Sequence, residues 1–189
     1  MRSITKDELE RLLEAPLKFK QNKITQLRDK IILEFLYSAG LKVSELVNLH
    51  QQDIDSKNNE LKVGKEGRTR IIPISNQNAY WLRKYLDSTK KEVTNIFTRT
   101  DRASGKKDKN ITPRSIQRLI KKYAKLAGIN KSLTPQSLRQ EFFSNLVEKG
   151  TNLYSIQELM GHSSINTTKI YQRKSWPEDL FLLESFCLL

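Results

Sequence analysis

Apolar residues recur at helical spacing through most of this 189-residue chain. Thr5 followed by Glu8 reads as a capping box, with Leu9, Leu12 and Leu13 continuing the apolar face. Pro16 and the basic stretch 18–23 break that pattern. The spacing predicts a second, strongly apolar helix over 25–39, stopped by Gly40 in a left-handed conformation. A shorter helix is expected over 43–49, and a loop over 53–59. The period then changes to two: 60–64 and 69–74 predict short strands around Lys65-Glu66-Gly67-Arg68, a hairpin in which glycine supplies positive φ. Ser75 opens a helix carrying Ala79, Leu82, Tyr85 and Leu86, and the Lys-, Asp- and Gly-rich stretch 100–110 predicts an exposed loop.

Three well-marked helices follow. Thr112-Pro113 opens the first, with Ile116, Leu119, Ile120, Tyr123, Ala124 and Ala127 on one face and Gly128 closing it. Arg114, Arg118, Lys121, Lys122 and Lys125 occupy the opposite face. Thr134-Pro135 opens the next, burying Leu138, Phe142 and Leu146 and ending near Gly150. The third covers about 152–160 and runs into Gly161-His162. With no internal repeat and no low-complexity linker, the expected fold is one mainly α domain with a small antiparallel β-sheet.

Charge changes the picture. Lys plus Arg total 34 against 21 Asp plus Glu, a formal +13. Such an excess favours a polyanionic partner, because each Lys or Arg placed on a phosphate releases condensed counterions. A basic surface with no partner is the alternative. The single cysteine, Cys187, excludes an internal disulfide and a Cys-rich zinc site. Two histidines, His50 and His162, are too few for a His-based metal centre. No apolar run approaches 18 residues and the N-terminus lacks an apolar signal core, so a soluble, cytoplasmic, nucleoid-associated protein is expected, away from membranes.

Candidate chemistry concentrates in the stretch from Leu159 to Tyr171. Glycine turns the chain after an apolar helix, His162 sits at the turn, and a Ser-rich cap starts a short helix carrying Tyr171. A Tyr171 nucleophile must overcome a phenol pKa of about 10. Nearby cations and a phosphate held in line would supply that. Arg139, near the start of its helix, offers a planar fork for two phosphate oxygens, helped by the helix N-terminus. Lys65, at the hairpin tip, is placed to protonate a leaving 5′ oxygen. Singly, each residue has an ordinary structural role; their order and spacing carry the functional one.

That order resembles the tyrosine recombinase (phage integrase) family, most closely its Xer-like catalytic domains. The family's Gly-Leu-Arg-x-Ser-Glu-Leu box reads Gly40-Leu41-Lys42-Val43-Ser44-Glu45-Leu46 here. Its Gly-Lys hairpin with a Val/Ile-Pro exit reads from Gly64-Lys65 through Arg68 and Arg70 to Ile72-Pro73-Ile74. A Thr-Pro-His-x-Leu-Arg-His box appears as Thr134-Pro135-Gln136-Ser137-Leu138-Arg139-Gln140. A Leu-Gly-His box with its distal tyrosine appears as Met160-Gly161-His162 through Thr168 and Tyr171. The resemblance implies a tyrosine recombinase catalytic-domain fold over 1–175. It implies that Tyr171 forms a 3′-phosphotyrosyl link to DNA, Arg139 and His162 bind the scissile phosphate, Lys65 is the general acid, and Glu45 orients a cation. It also implies no metal, no cofactor, and cooperating protomers, as dimers or tetramers, on double-stranded DNA.

Two departures stand out. Lys42 replaces the first clamp arginine, keeping charge but losing the two-pronged grip. Gln136 and Gln140 replace the histidines of their box, and an amide holds a phosphate oxygen but moves no proton. Losing one such donor costs about 2.7–4 kcal/mol, or roughly 10²–10³ in rate. The expectation is therefore a recombinase with weakened activity, against the alternative of an inactive DNA-binding relative that regulates recombination or transcription. A helix-turn-helix factor fits the charge but leaves the Lys65 hairpin and the Gly161–Tyr171 stretch unexplained. The family's N-terminal DNA-clamp domain is expected to be absent, leaving DNA grip to the hairpin residues Arg68 and Arg70 and to the basic helix face from Arg114 to Lys125. The apolar tail 176–189 either packs on a neighbouring protomer or folds back onto its own core.

Overall fold

The computed structural model describes residues 4–65, 68–89, 94–98 and 110–161. Helix α1 (Lys6–Lys18) starts as expected: the Thr5 side chain accepts from the Glu8 N–H, and Glu8 reaches back to the Thr5 N–H at 2.8 Å. It does not stop at Pro16, which lies buried inside it. Proline's fixed φ suits a helix, and the hydrogen bond it forfeits falls within one turn of the end.

Helix α2 (Lys23–Ser38) is the centre of the molecule, packed against α1, α4 (Asn76–Thr89) and α6 (Pro135–Glu148). Leu27, Ile31, Ile32, Leu33, Phe35 and Leu36 are each at most 2% exposed. A helix enclosed on so many sides also buries polar positions, and these are paired. Lys30, 1% exposed, sits 2.8 Å from Glu14 and 2.9 Å from Glu34. Arg28 pairs with Asp29 at 2.7 Å, and Asp29 also accepts from the Tyr123 hydroxyl at 2.8 Å.

Helix α3 spans Val43–Val47, two residues shorter than expected. The stretch 53–59, expected as loop, instead holds strand β1 (Ile54–Asp55), which pairs with β2 (Glu60–Lys65). Strand β3 (Arg68–Pro73) closes an antiparallel sheet of order β1-β2-β3. The β2–β3 register runs from Glu60↔Pro73 to Lys65↔Arg68, so the hairpin turns immediately beyond Lys65. Gly67, the expected positive-φ position, and most of the expected loop 100–110 lie outside the described residues.

Helix α5 (Pro113–Leu126) buries Ile116, Leu119, Ile120, Tyr123 and Ala124 and leaves all five basic residues of its other face exposed. Helix α7 (Leu153–Met160), capped by Asn152, packs on α6 through a small second core of Phe142, Phe143, Ile156 and Met160. That core fixes where α7 ends. Among the described residues no helix is long and apolar enough to cross a membrane.

Candidate active site

The site assembles where the end of α7 meets three other segments. Gly161 takes φ +60° and ψ 44° there, a left-handed stop that glycine adopts without steric cost. The last carbonyls of a helix have no partner within it and carry the negative end of its dipole. Three consecutive carbonyls here are taken by cations. Arg70 Nε, from β3, donates to Leu159 O at 2.8 Å, Arg139 Nη2, from α6, donates to Met160 O, and Lys42 Nζ donates to Gly161 O at 2.9 Å.

Each cation reaches this point for a reason in the chain. Gly40, at φ +57°, has no side chain to strike the Phe142 ring, so α6 approaches the turn after α2 closely. Arg139, one turn before Phe142, thereby also donates to Gly40 O and is 3% exposed. Lys42 follows that turn and is fixed by Glu45, whose Oε2 accepts the Lys42 N–H at 2.8 Å. Glu45 also takes both terminal nitrogens of Arg70, at 2.6 and 3.0 Å, with each side chain 11% exposed. Burial alone would raise the Glu45 carboxyl, but hydrogen bonds from Arg70 and the Lys42 N–H outweigh it and hold it below its ordinary value. Burial lowers the Lys42 ammonium; Glu45 partly offsets this, while Arg139 and Arg70 add to the lowering.

These groups wall an open cleft of about 1660 Å³. Lys42, Glu45, Arg70, Gln136, Arg139 and Gly161 line one part of it, and Gly64, next to Lys65, lines the hairpin side. The side chains of Lys65 and Arg68, all of His162 and Tyr171, and the tail 176–189 lie outside the described residues. Gly161 is the residue before His162, so the cation-held turn leads directly to it.

Arg70 was expected to grip DNA together with Arg68; its guanidinium lines the cleft while turned onto Glu45 and the end of α7. A sequence signal for this exists. Arg70 pairs with Val63 and Ile72 with Leu61, and cross-strand partners share a face. Val63, Leu61 and Ile72 are all buried, so Arg70 stands on the inner face while Ile71, 60% exposed, points out. The basic face of α5, expected to grip DNA, lies outside the lining of this cleft. Arg118 and Lys122 border a separate groove of about 350 Å³ with Arg28 and Asp29, and Lys122 donates to Gln21 at 2.9 Å. Cleft residues that sequence reasoning passed over include His50, Lys62 and Tyr154, the last 73% exposed.

The model of the phage integrase family matches residues 2–176. The tyrosine recombinase XerA of Pyrococcus horikoshii is 37% identical over 174 residues, covering 91% of this chain and 56% of that protein. The chain thus spans little more than half the length of such curated relatives. A crystal structure of XerA recombinase superposes with a TM-score of 0.77 at 28% identity, covering 97% of this chain and 63% of the other. The Tn1549 transposon integrase in complex with a circular intermediate DNA gives a TM-score of 0.70 at 23% identity, over 89% of this chain and 60% of the other, a likeness of fold alone.

Proposed function

The chain belongs to the phage integrase family, and from that premise we propose that it is the catalytic part of a site-specific tyrosine recombinase acting on double-stranded DNA. One observation carries the reading: Arg139 and Lys42 converge, with Arg70 and Glu45 behind them, on the turn that delivers His162. A patch of fixed cations beside an open cleft suits a phosphodiester that gains charge as it is attacked. In the proposed reaction the Tyr171 phenolate attacks phosphorus, forming a 3′-phosphotyrosyl bond as the bond to the 5′ oxygen breaks. Lys65 gives that oxygen its proton. Arg139, His162, Lys42 and Gln136 hold the phosphate oxygens. A 5′ hydroxyl then attacks the phosphotyrosine and rejoins the strand, so the bond energy is retained throughout. The protomers act together on paired sites, with the tail 176–189 as the contact between neighbours.

A second reading, an inactive DNA-binding relative, draws on Lys42 and Gln136 standing where the family's arginine and histidine do. A nicked suicide DNA substrate decides between them. The enzyme reading expects a covalent adduct that survives denaturation and disappears in Tyr171→Phe. Absence of that adduct across substrates whose sites the protein binds sinks it.

A further inference from the structure

We infer that Arg70 is a positioning residue of the reaction proposed above, one that locks the Lys65 hairpin to the turn entering His162. The inference rests on that reading for its consequence and on contacts within this chain for its substance. Arg70 spends all three guanidinium nitrogens internally: Nε on Leu159 O at 2.8 Å, and its two terminal nitrogens on the two oxygens of Glu45. Three of its five N–H donors are thus committed, and a two-pronged grip on phosphate would have to displace Glu45 or the Leu159 carbonyl. The guanidinium also packs closely against the turn itself. A Cβ built on Gly161 would meet Nη1 at 2.5 Å and Cζ at 2.8 Å. Arg70 therefore fixes the turn twice, by a hydrogen bond at 159 and by contact at 161.

The contacts close a ring. Arg70 holds Glu45, Glu45 holds the Lys42 backbone at 2.8 Å, Lys42 Nζ holds Gly161 O at 2.9 Å, and Arg70 holds Leu159. On the other side, Arg70 is two residues along β3 from Arg68, the cross-strand partner of Lys65. A strand pair is stiff over that distance. The hairpin carrying the proposed acid and the turn carrying the proposed phosphate-binding histidine thus share one rigid connection, and misplacement of reacting groups by about 1 Å can cost roughly 100-fold in rate.

The test uses the full chain and the variants Arg70→Gln and Arg70→Lys, with Arg118→Gln as a comparison. Three measurements are made: amide hydrogen exchange at 158–161 in the free protein, the salt dependence of binding to a random-sequence duplex, and the adduct rate at saturating suicide substrate. Both Arg70 variants should exchange about tenfold faster at the α7 end, the effect of losing roughly one hydrogen bond. The salt slope should stay unchanged, and the adduct rate should fall about 100-fold with half-saturation unmoved. Lysine should not rescue, because it lacks the fork. If Arg70→Gln proves unstable, Arg70→Lys keeps the charge and gives the same readouts. A slope reduced by about 0.9, as loss of one phosphate contact gives, overturns the inference; so does unchanged exchange, or full rescue by lysine. A wild type that forms no adduct, with exchange and slope as expected, defeats the enzyme reading and leaves the internal lock standing.

Discussion

Two clusters of charge sit in this molecule, and they are balanced differently. Around α2, each cation lies against a carboxylate: Lys30 between Glu14 and Glu34, and Arg28 on Asp29. Around the end of α7, Lys42, Arg70 and Arg139 gather with Glu45 as the carboxylate in ionic contact, and backbone carbonyls accept the other hydrogen bonds described there. A carbonyl satisfies a donor without cancelling a unit charge. Among the contacts described, the α7 cluster thus carries more cations than carboxylates; burial first, then Arg139 and Arg70, lower the Lys42 ammonium against the opposing pull of Glu45. Burial differs as well: Lys30 is 1% exposed, whereas Lys42 is exposed and Arg70 and Glu45 are half-buried. Charge balance is what separates the α2 cluster from the one proposed to meet a phosphate.

Substitution should separate them most sharply at Arg139 and Lys30. Arg139→Lys keeps one charge but cannot hold the Gly40 and Met160 carbonyls and also present a fork to phosphate. We expect a loss of about 10³ in adduct rate, the upper range for removing one transition-state donor, with a modest change in melting temperature. Lys30→Met should do the reverse. It strands Glu34, whose side chain is 10% exposed, and removing one partner of a buried pair costs about 3–5 kcal/mol. Activity per folded molecule should be unchanged. A Lys30→Met variant that stays stable yet loses adduct formation breaks the comparison.

The next effect is smaller and opposite in sign. If the cluster's excess charge is there for a phosphate, geometry at Lys42 and Gln136 limits how well it is used. Lys42→Arg with Gln136→His restores a planar fork and an imidazole, and adduct yield should rise about 10- to 100-fold. Flat yield in the double variant means that these two positions do not limit the chemistry.

Most of the scaffold was legible in the sequence because it rests on local rules. The Thr5, Thr112 and Thr134 caps, the Gly40 and Gly161 stops, and the apolar spacing of α2, α5 and α6 each specify their element without knowledge of neighbours. What was illegible depended on partners distant in sequence. Strand β1 is two residues long, too short to show a period, and exists because Leu61 and Glu60 pair with it. Pro16 sits inside α1 because burial and nearness to the helix end outweigh one missing donor. The basic face of α5 announced solvent exposure correctly, but periodicity around one helix says nothing about which cleft that face borders. Within the site, the boxes named Lys42, Glu45, Gln136 and Arg139, which do line one cleft. The inward contacts of Arg70 were not legible, because a strand arginine near basic neighbours looks external until its register against Val63 is counted.

The smallest expected effect sharpens the comparison through pH. The charged form of Lys42 is present below its pKa and lost as pH rises through it. Burial first, then Arg139 and Arg70 against the opposing pull of Glu45, place that loss below the ordinary 10.5 of a lysine. At subsaturating DNA, where the rate reports groups of the free protein, adduct formation should therefore decline on the alkaline side earlier than a solvated lysine would allow. At saturating DNA the bound phosphate favours the ammonium, so the decline should move to higher pH and shrink to a few-fold. Lys42→Arg should abolish it, since a guanidinium stays charged throughout. Stability supplies the control, because its sign is opposite. The folded state binds the Lys42 proton less tightly than the unfolded chain does, so folding is favoured as pH rises between the two values. A falling rate alongside rising stability assigns the limb to Lys42 charge. An alkaline limb that persists unchanged in Lys42→Arg places the titrating group elsewhere and removes Lys42 from the excess-charge side of the comparison.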